Sequence, residues 1–251
     1  MTATARPPSV RALLQPCSGA ETMAQTSEPA LSREQIVRAA VALLDAEGLD
    51  GLSMRRLGGK LGAGATTLYW HVANKDELLE LALDEIMGEL PVLDPDAPEG
   101  WRLVLAGYLR AFRAMIHRHP WAIPLFGTWP NIGPNALRQM EQTLRLLIRA
   151  GFSGVDLDHA LAVLFDYVIG ATATEVAWEQ VVTRSGLEPC EIEKVVLPYL
   201  RGAAASYPLL ARYLDDISRL GQQEVAEGRF DFGLEVLLDG LEARLRRAGN
   251  S

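Results

Sequence analysis

Only two cysteines, Cys17 and Cys190, occur in the 251 residues. Two thiols cannot cage a metal alone, and a bridge between the N-terminal stretch and so distant a segment is not expected. Glu188, Glu191 and Glu193 stand around Cys190 and disfavour its thiolate, which argues against a redox sensor and for free thiols in a reducing compartment. No uninterrupted apolar run is long enough to cross a bilayer. Residues 1–30, rich in Ala, Pro, Ser and Thr, lack the continuous apolar stretch of a signal peptide and read as a mobile tail; Met23 inside it is a second candidate start. The expectation is a cytoplasmic protein with no membrane association. Strand-like alternation and internal repeats are missing. So are complete enzyme signatures. "GGKLGAG" lacks the Ser or Thr that follows the lysine of a phosphate loop, "GAGATT" lacks the third glycine of a dinucleotide fingerprint, and "GFSG" is not a nucleophile elbow. No catalytic residue, metal site or cofactor is expected.

The most informative absence is local. From Ser53 to Lys75, "SMRRLGGKLGAGATTLYWHVANK", there is no Asp or Glu, although the whole chain carries a net charge of −8. That balance argues against a general polyanion binder. It leaves room for one basic window, made by Arg55, Arg56, Lys60 and Lys75.

Around this window the periodicity is helical. Ile36, Ala40, Leu43 and Leu44 form one stripe of a helix predicted over Arg33 to Glu47, with Ser32 and Gln35 as a capping box and Gly48 as its stop. Ser53 can cap a second helix with Met54, Leu57 and Leu61 inward. Gly62 to Gly64 break it, and a short third helix follows over Ala65 to His71 with Leu68 inward. Asn74 can cap a fourth, Lys75 to Glu89, whose first turn holds Asp76 and Glu77 where acidic side chains suit the helix N-terminus. Beyond Pro98 further helices are predicted near Trp101 to His117, Asn135 to Ala150, Asp156 to Val182 and Phe232 to Arg247. The fold class is all-α, with a tail over 1–30, a four-helix unit over 31–90 and a larger all-helical domain over 91–251.

Two short helices joined by a glycine-containing turn make a helix-turn-helix, here about 53–72, whose second helix enters the major groove. Phosphates repel carboxylates, so the docking face should lack them, as this window does. Arg55 and Lys75 can neutralise phosphates. Ala65, Thr66 and Thr67 lie where base edges come within reach. Tyr69, Trp70 and His71 suit contacts to phosphate and sugar. Taken singly, Tyr69 and Trp70 could be minor-core aromatics, His71 a helix end, and Arg56 and Lys60 solvated charges.

The stretch "LSMRRLGGKLGAGATTLYWHVANKDELL" resembles the DNA-binding segment of the tetracycline-repressor (TetR) family, and "FDFGLEVLLDGLEARL" resembles the last helix of the tetracycline repressors themselves. "WRLVLAGYLRAFR", "FGTWP" and "GFS" fall between them in matching order, so the resemblance spans about residues 31 to 248. It implies a homodimeric repressor of a double-stranded DNA operator. The family's DNA-contacting positions fall on Arg55, Ala65, Thr66, Thr67, Tyr69, Trp70, His71 and Lys75, and the dimer helices on Asp156 to Val182 and Phe232 to Arg247. The tetracycline repressors grip a drug–magnesium chelate through polar residues that are Pro91, Leu125, Trp129 and Thr143 here. Leu and Trp cannot ligate a hard cation, so a different small-molecule effector is implied. Tyr108, Phe112, Trp121, Leu125, Trp129, Thr143 and Trp178 are the candidate lining of an apolar, aromatic pocket; plain core is the competing reading for each aromatic. His117 and His119 are two apart on a helix and do not chelate; with Pro120 they mark its end. Asp158, His159 and Asp166 read as surface or dimer-contact residues. Rival readings are a helical ligand-binding protein, and an activator whose DNA binding needs a ligand.

Overall fold

The computed structural model describes residues 31–128, 131–187, 189–220 and 222–248. Among them there are helices and no strand. In chain order they are α1 (Arg33–Gly51), α2 (Met54–Lys60), α3 (Ala65–Tyr69), α4 (Lys75–Met87), α5 (Trp101–Arg118), a 3-10 helix (Pro120–Leu125), α6 (Pro134–Ala150), α7 (Gly154–Ser185), α8 (Pro189–Ala203), a 3-10 turn (Ala204–Ser206), α9 (Pro208–Leu220) and α10 (Gln222–Ala248).

The caps predicted from sequence form. Ser32 Oγ accepts from Gln35 N at 3.1 Å and Gln35 Oε1 accepts from Ser32 N at 2.8 Å, closing the capping box. Ser53 caps α2 through Arg56 N, and Asn74 caps α4 through Glu77 N at 2.8 Å. Gly48 does interrupt α1: it takes φ 69°, and a further turn continues to Gly51. The helices α8 and α9 lie where the sequence reads helical but were not delimited there, and α10 starts earlier than expected. The first two carry Pro198 inside α8 and Pro208 at the head of α9, which blur the period that marks a helix.

The contacts divide the described chain into two compact units, one ending at Ala150 and one beginning at Gly151. In the first unit α1 packs on α4 and on the 3-10 helix, α2 on α3, and α4 and α5 on α6. Ile36, Ala40, Leu57, Leu68, Leu78 and Ile86 are completely buried there and tie the four N-terminal helices into one core.

In the second unit α7 and α10 lie against each other. The Tyr167 hydroxyl donates to Phe230 O at 2.7 Å, and the two rings are 5.5 Å apart. A Cβ on Gly233 would fall 2.2 Å from that hydroxyl, so only glycine permits this approach. Arg244 donates to Asp156 at 2.6 Å. No uninterrupted apolar run in α7 reaches bilayer length, as expected, yet the helix as a whole is long and apolar. Its 32 residues include an 18-residue stretch of mean hydropathy 1.5, sufficient by length and composition alone to cross a membrane. Scattered Asp and His residues break the run in sequence, which concealed it. Only 28% of that stretch is buried within the chain, and Val155, Val163, Trp178 and Val181 of α7 are exposed, as are Phe232 and Val236 of α10.

Candidate nucleic-acid interface and effector layer

The short helix α3 is fixed from below. Leu68 is its one buried residue, and Val72 just after it is buried too. The turn before α3 sits tightly on α2: a Cβ on Gly58 would meet Ala63 O at 2.7 Å, and Gly62 takes φ 66°. With Leu68 inward, Thr66, Thr67, Tyr69 and Trp70 point to solvent, Trp70 at 75% exposure. An indole that exposed cannot be a minor-core residue in this chain. Ala65 and His71 are half-buried at the edges of the same face. Hydroxyls, a phenol and an indole thus stand on a protruding helix with no carboxylate among them.

The basic residues of the window separate into two kinds. Arg55 is exposed on α2 and has no ion-pair partner among the described residues. Arg56 pairs with Glu47 at 2.5 Å and donates to Gly51 O at 3.2 Å, so it braces the end of α1. Lys75 Nζ donates to Leu49 O at 3.1 Å. That uses one of its three donors and holds the head of α4 against the end of α1, leaving two for a phosphate. Arg33 pairs with Glu77, and Glu77 accepts from Ala73 N at 2.6 Å, so the entry to α4 is tied down from several sides.

A polar cluster that the sequence reading missed joins α1, α4 and the end of α5. His119, the residue closing α5, is 6% exposed. Its Nδ1 lies 2.7 Å from Asp45 Oδ1 and its Nε2 lies 3.0 Å from Glu89 Oε1. Trp121 Nε1 donates to the same Asp45 oxygen at 2.7 Å, and Arg118 pairs with Glu89 at 2.7 Å. Burial alone would raise the Glu89 carboxyl; hydrogen bonds and charge from Arg118 and His119 outweigh it and hold it below its usual 4.5. His119 does end its helix, as expected, but it also fastens the helix to two others. No sequence signal links position 45 to positions 89 and 119.

The candidate effector residues are distributed unevenly. Tyr108 and Phe112 are buried on α5, and Thr143 is buried on α6, its Oγ1 donating to Gln139 O at 2.9 Å. Phe126 meets Phe112 edge to face at 5.5 Å. The Tyr108 hydroxyl has no hydrogen-bond partner among the described residues. Burial pushes its phenol up to about 12, opposed by the nearby Thr143 hydroxyl. Leu125, at the end of the 3-10 helix, is half-buried. Trp121 is buried, with its only polar atom already committed to Asp45, a core arrangement. Trp129 lies outside the described residues. Trp178 belongs to the second unit, where with residues of α8 and α9 it lines a cavity of about 60 Å³, far below the few hundred Å³ that a drug-sized ligand needs. Among the described residues, no group of three or more His, Cys, Asp and Glu side chains is arranged to hold a metal.

An exposed recognition helix set on a helix-turn-helix, followed by a wholly helical second region, defines a helical DNA-binding regulator. The comparisons make this specific. The family model described as "Bacterial regulatory proteins, tetR family" matches residues 36–82, and "Tetracyclin repressor-like, C-terminal domain" matches 94–245. The chain belongs to the TetR family of bacterial transcriptional regulators. It is 36% identical over 229 residues to the HTH-type transcriptional repressor DrrR1 of Streptomyces coeruleorubidus, covering 89% of this chain and 82% of that one. It is 32% identical over 216 residues to the class A tetracycline repressor of transposon 1721 from Escherichia coli, covering 85% and 92%. Among solved structures it is similar to the TetR family protein ActR of Streptomyces coelicolor in complex with actinorhodin, with a TM-score of 0.70 and 31% identity over 86% of this chain and 97% of that one.

Proposed function

We propose that this chain is a homodimeric repressor that binds a palindromic operator through Arg55, Ala65, Thr66, Thr67, Tyr69, Trp70, His71 and Lys75, and is released by a flat, largely apolar aromatic effector. The observation that carries the DNA reading is α3: its buried Leu68 forces Thr66, Thr67, Tyr69 and Trp70 outward on a face without carboxylates. The dimer is supported by the uncovered apolar faces of α7 and α10, which a second copy would cover with the same surface. Two recognition helices would then enter successive major grooves.

The effector reading rests on Tyr108, Phe112 and Phe126 beside Thr143, and on Leu125 and Pro91 standing where the tetracycline repressors have polar groups. One relative is a repressor by name, and another was solved with actinorhodin. The aromatic side chains, with the Tyr108 and Thr143 hydroxyls beside them, favour an aromatic compound carrying a few polar groups.

The test is fluorescence anisotropy with duplex selected by the protein from a random pool, against unselected duplex, over a salt series. Tight binding that survives excess random DNA is expected, followed by release on adding hydroxylated aromatic quinones. Equal weak binding to both duplexes would refute the repressor reading; tight binding that no such compound reverses would refute the effector class.

A further inference from the structure

The helices α4 and α6 grip each other by their ends. Asp84 is on α4 and is 2% exposed. Its Oδ1 accepts from Asn135 N and Ala136 N, both at 3.0 Å, so a carboxylate of α4 caps the start of α6. Asn135 Nδ2 returns a bond to Asp84 O at 2.9 Å. A Cβ on Gly133 would come within 2.1 Å of the Asp84 carboxylate, so glycine is what lets the two approach. One turn further along α6, Gln139 is 1% exposed, and its Nε2 donates to Met87 O at 3.3 Å and Leu90 O at 3.2 Å. Those are carbonyls at and just beyond the end of α4, where Met87 O otherwise takes a long turn bond from Leu90 N at 3.4 Å. Each helix thus caps the other.

A buried carboxylate is costly unless its bonds are made, so this contact holds in one arrangement and resists sliding. It also joins two parts with different tasks. The head of α4 carries Lys75, and α6 carries Thr143 one turn beyond Gln139. The other end of the Gln139 amide is unfinished: its Oε1 is buried with no hydrogen-bond partner among the described residues.

We infer that Asp84 and Gln139 are positioning residues that couple α6 to α4, and that the unpartnered Gln139 oxygen is where a donor on a bound effector acts on the coupling. This rests on the proposed repressor function for its purpose, but not for its first test. A donor reaching Oε1 would turn the amide and draw Nε2 from the Met87 and Leu90 carbonyls, loosening the end of α4. The affinity of the effector for one arrangement over the other is what would shift the DNA-binding unit.

Hydrogen exchange on the full chain needs neither DNA nor ligand. In Gln139→Glu a carboxylate faces the two carbonyls and repels them, while the size is kept. Exchange should quicken at least about tenfold along α4 as well as α6, as expected when a buried hydrogen bond to a group is lost. Asp84→Ala should do the same, and Asp84→Asn, which keeps an accepting oxygen, should largely restore the native rates. Faster exchange confined to α6, or equal effects of Asp84→Ala and Asp84→Asn, would overturn the coupling. A second measurement keeps the inference apart from the repressor reading. On duplex that the native protein binds specifically, Gln139→Glu should bind about tenfold more weakly without any effector while its circular dichroism stays native. Native affinity in that variant would overturn the signalling role, whereas failure of the native protein to select any duplex would count against the repressor reading and leave the exchange result as the judge of the coupling.

Discussion

Replacing Tyr108 with Phe removes a single oxygen, one that the free protein has no use for. The hydroxyl is buried, the residue is 1% exposed, and no partner among the described residues accepts its proton. Leaving such a group unsatisfied costs about 1–3 kcal/mol. Tyr108→Phe should therefore stabilise the effector-free protein by about 1 kcal/mol, the low end of that range, and raise its Tm by roughly 2–4 °C. The alkaline limb gives an independent check. The phenol ionises at 10.0 when unfolded and at about 12 when folded. Folding therefore favours the neutral form; the stability from this group is intact below pH 10 and is lost as pH rises to 12. A shift of this size corresponds to about 3 kcal/mol. Urea unfolding of native and Tyr108→Phe proteins at pH 8, 10 and 12 should show the native protein losing ground by about that amount while the variant is spared. If the hydroxyl is kept for the effector, Tyr108→Phe should need several-fold more effector to release DNA. A lower Tm in the variant, or parallel curves from pH 10 to 12, would refute the claim that this hydroxyl is a cost carried for ligand recognition.

Lys75→Ala should weaken binding to every duplex and lower the salt slope by about one unit, whereas Thr67→Ala should change the ranking of operator variants; anisotropy across salt and sequence separates them. The Glu89 carboxyl is held low in the folded protein, so the stability it gives is present above its usual 4.5 and lost as pH falls through its depressed value. Glu89→Gln should therefore show a flatter acid limb in thermal melts between pH 6 and 3. Trp121→Phe leaves the Asp45 oxygen with one donor fewer and should cost about 1 kcal/mol in urea unfolding without altering DNA affinity. Val163→Glu, on the uncovered face of α7, should shift the protein to monomer in sedimentation; an unchanged dimer would move the interface elsewhere.

The readable parts of the chain were those whose cause is local. Ser32 with Gln35, Ser53, Gly48 and Asn74 act over three or four residues, so the caps and breaks of α1, α2 and α4 could be located from the sequence. The absence of carboxylates from Ser53 to Lys75 is likewise a one-dimensional signal. What could not be read was pairing across distance. Asp45 and His119 stand 74 positions apart, and Asp84 and Asn135 stand 51 apart. Asp84 occupies an inward position of α4, where a periodic reading expects an apolar residue, and that mismatch was the one available clue. Trp121 shows the converse. Its aromatic character suggested a pocket, but the partner that commits its indole to the core lies on α1.

The bare face shared by α7 and α10 has a genetic consequence. If a twin covers that surface, as proposed, the chain would not act alone in the cell, and its defects would not be private. An allele with a ruined α3 but sound α7 and α10 would still pair with normal copies, and each mixed pair would hold one working recognition helix where a palindrome requires two. Such an allele should derepress its target even beside an intact gene. An allele crippled at Val163 or Phe232 should be silent in the same cell, because it never finds a partner to spoil.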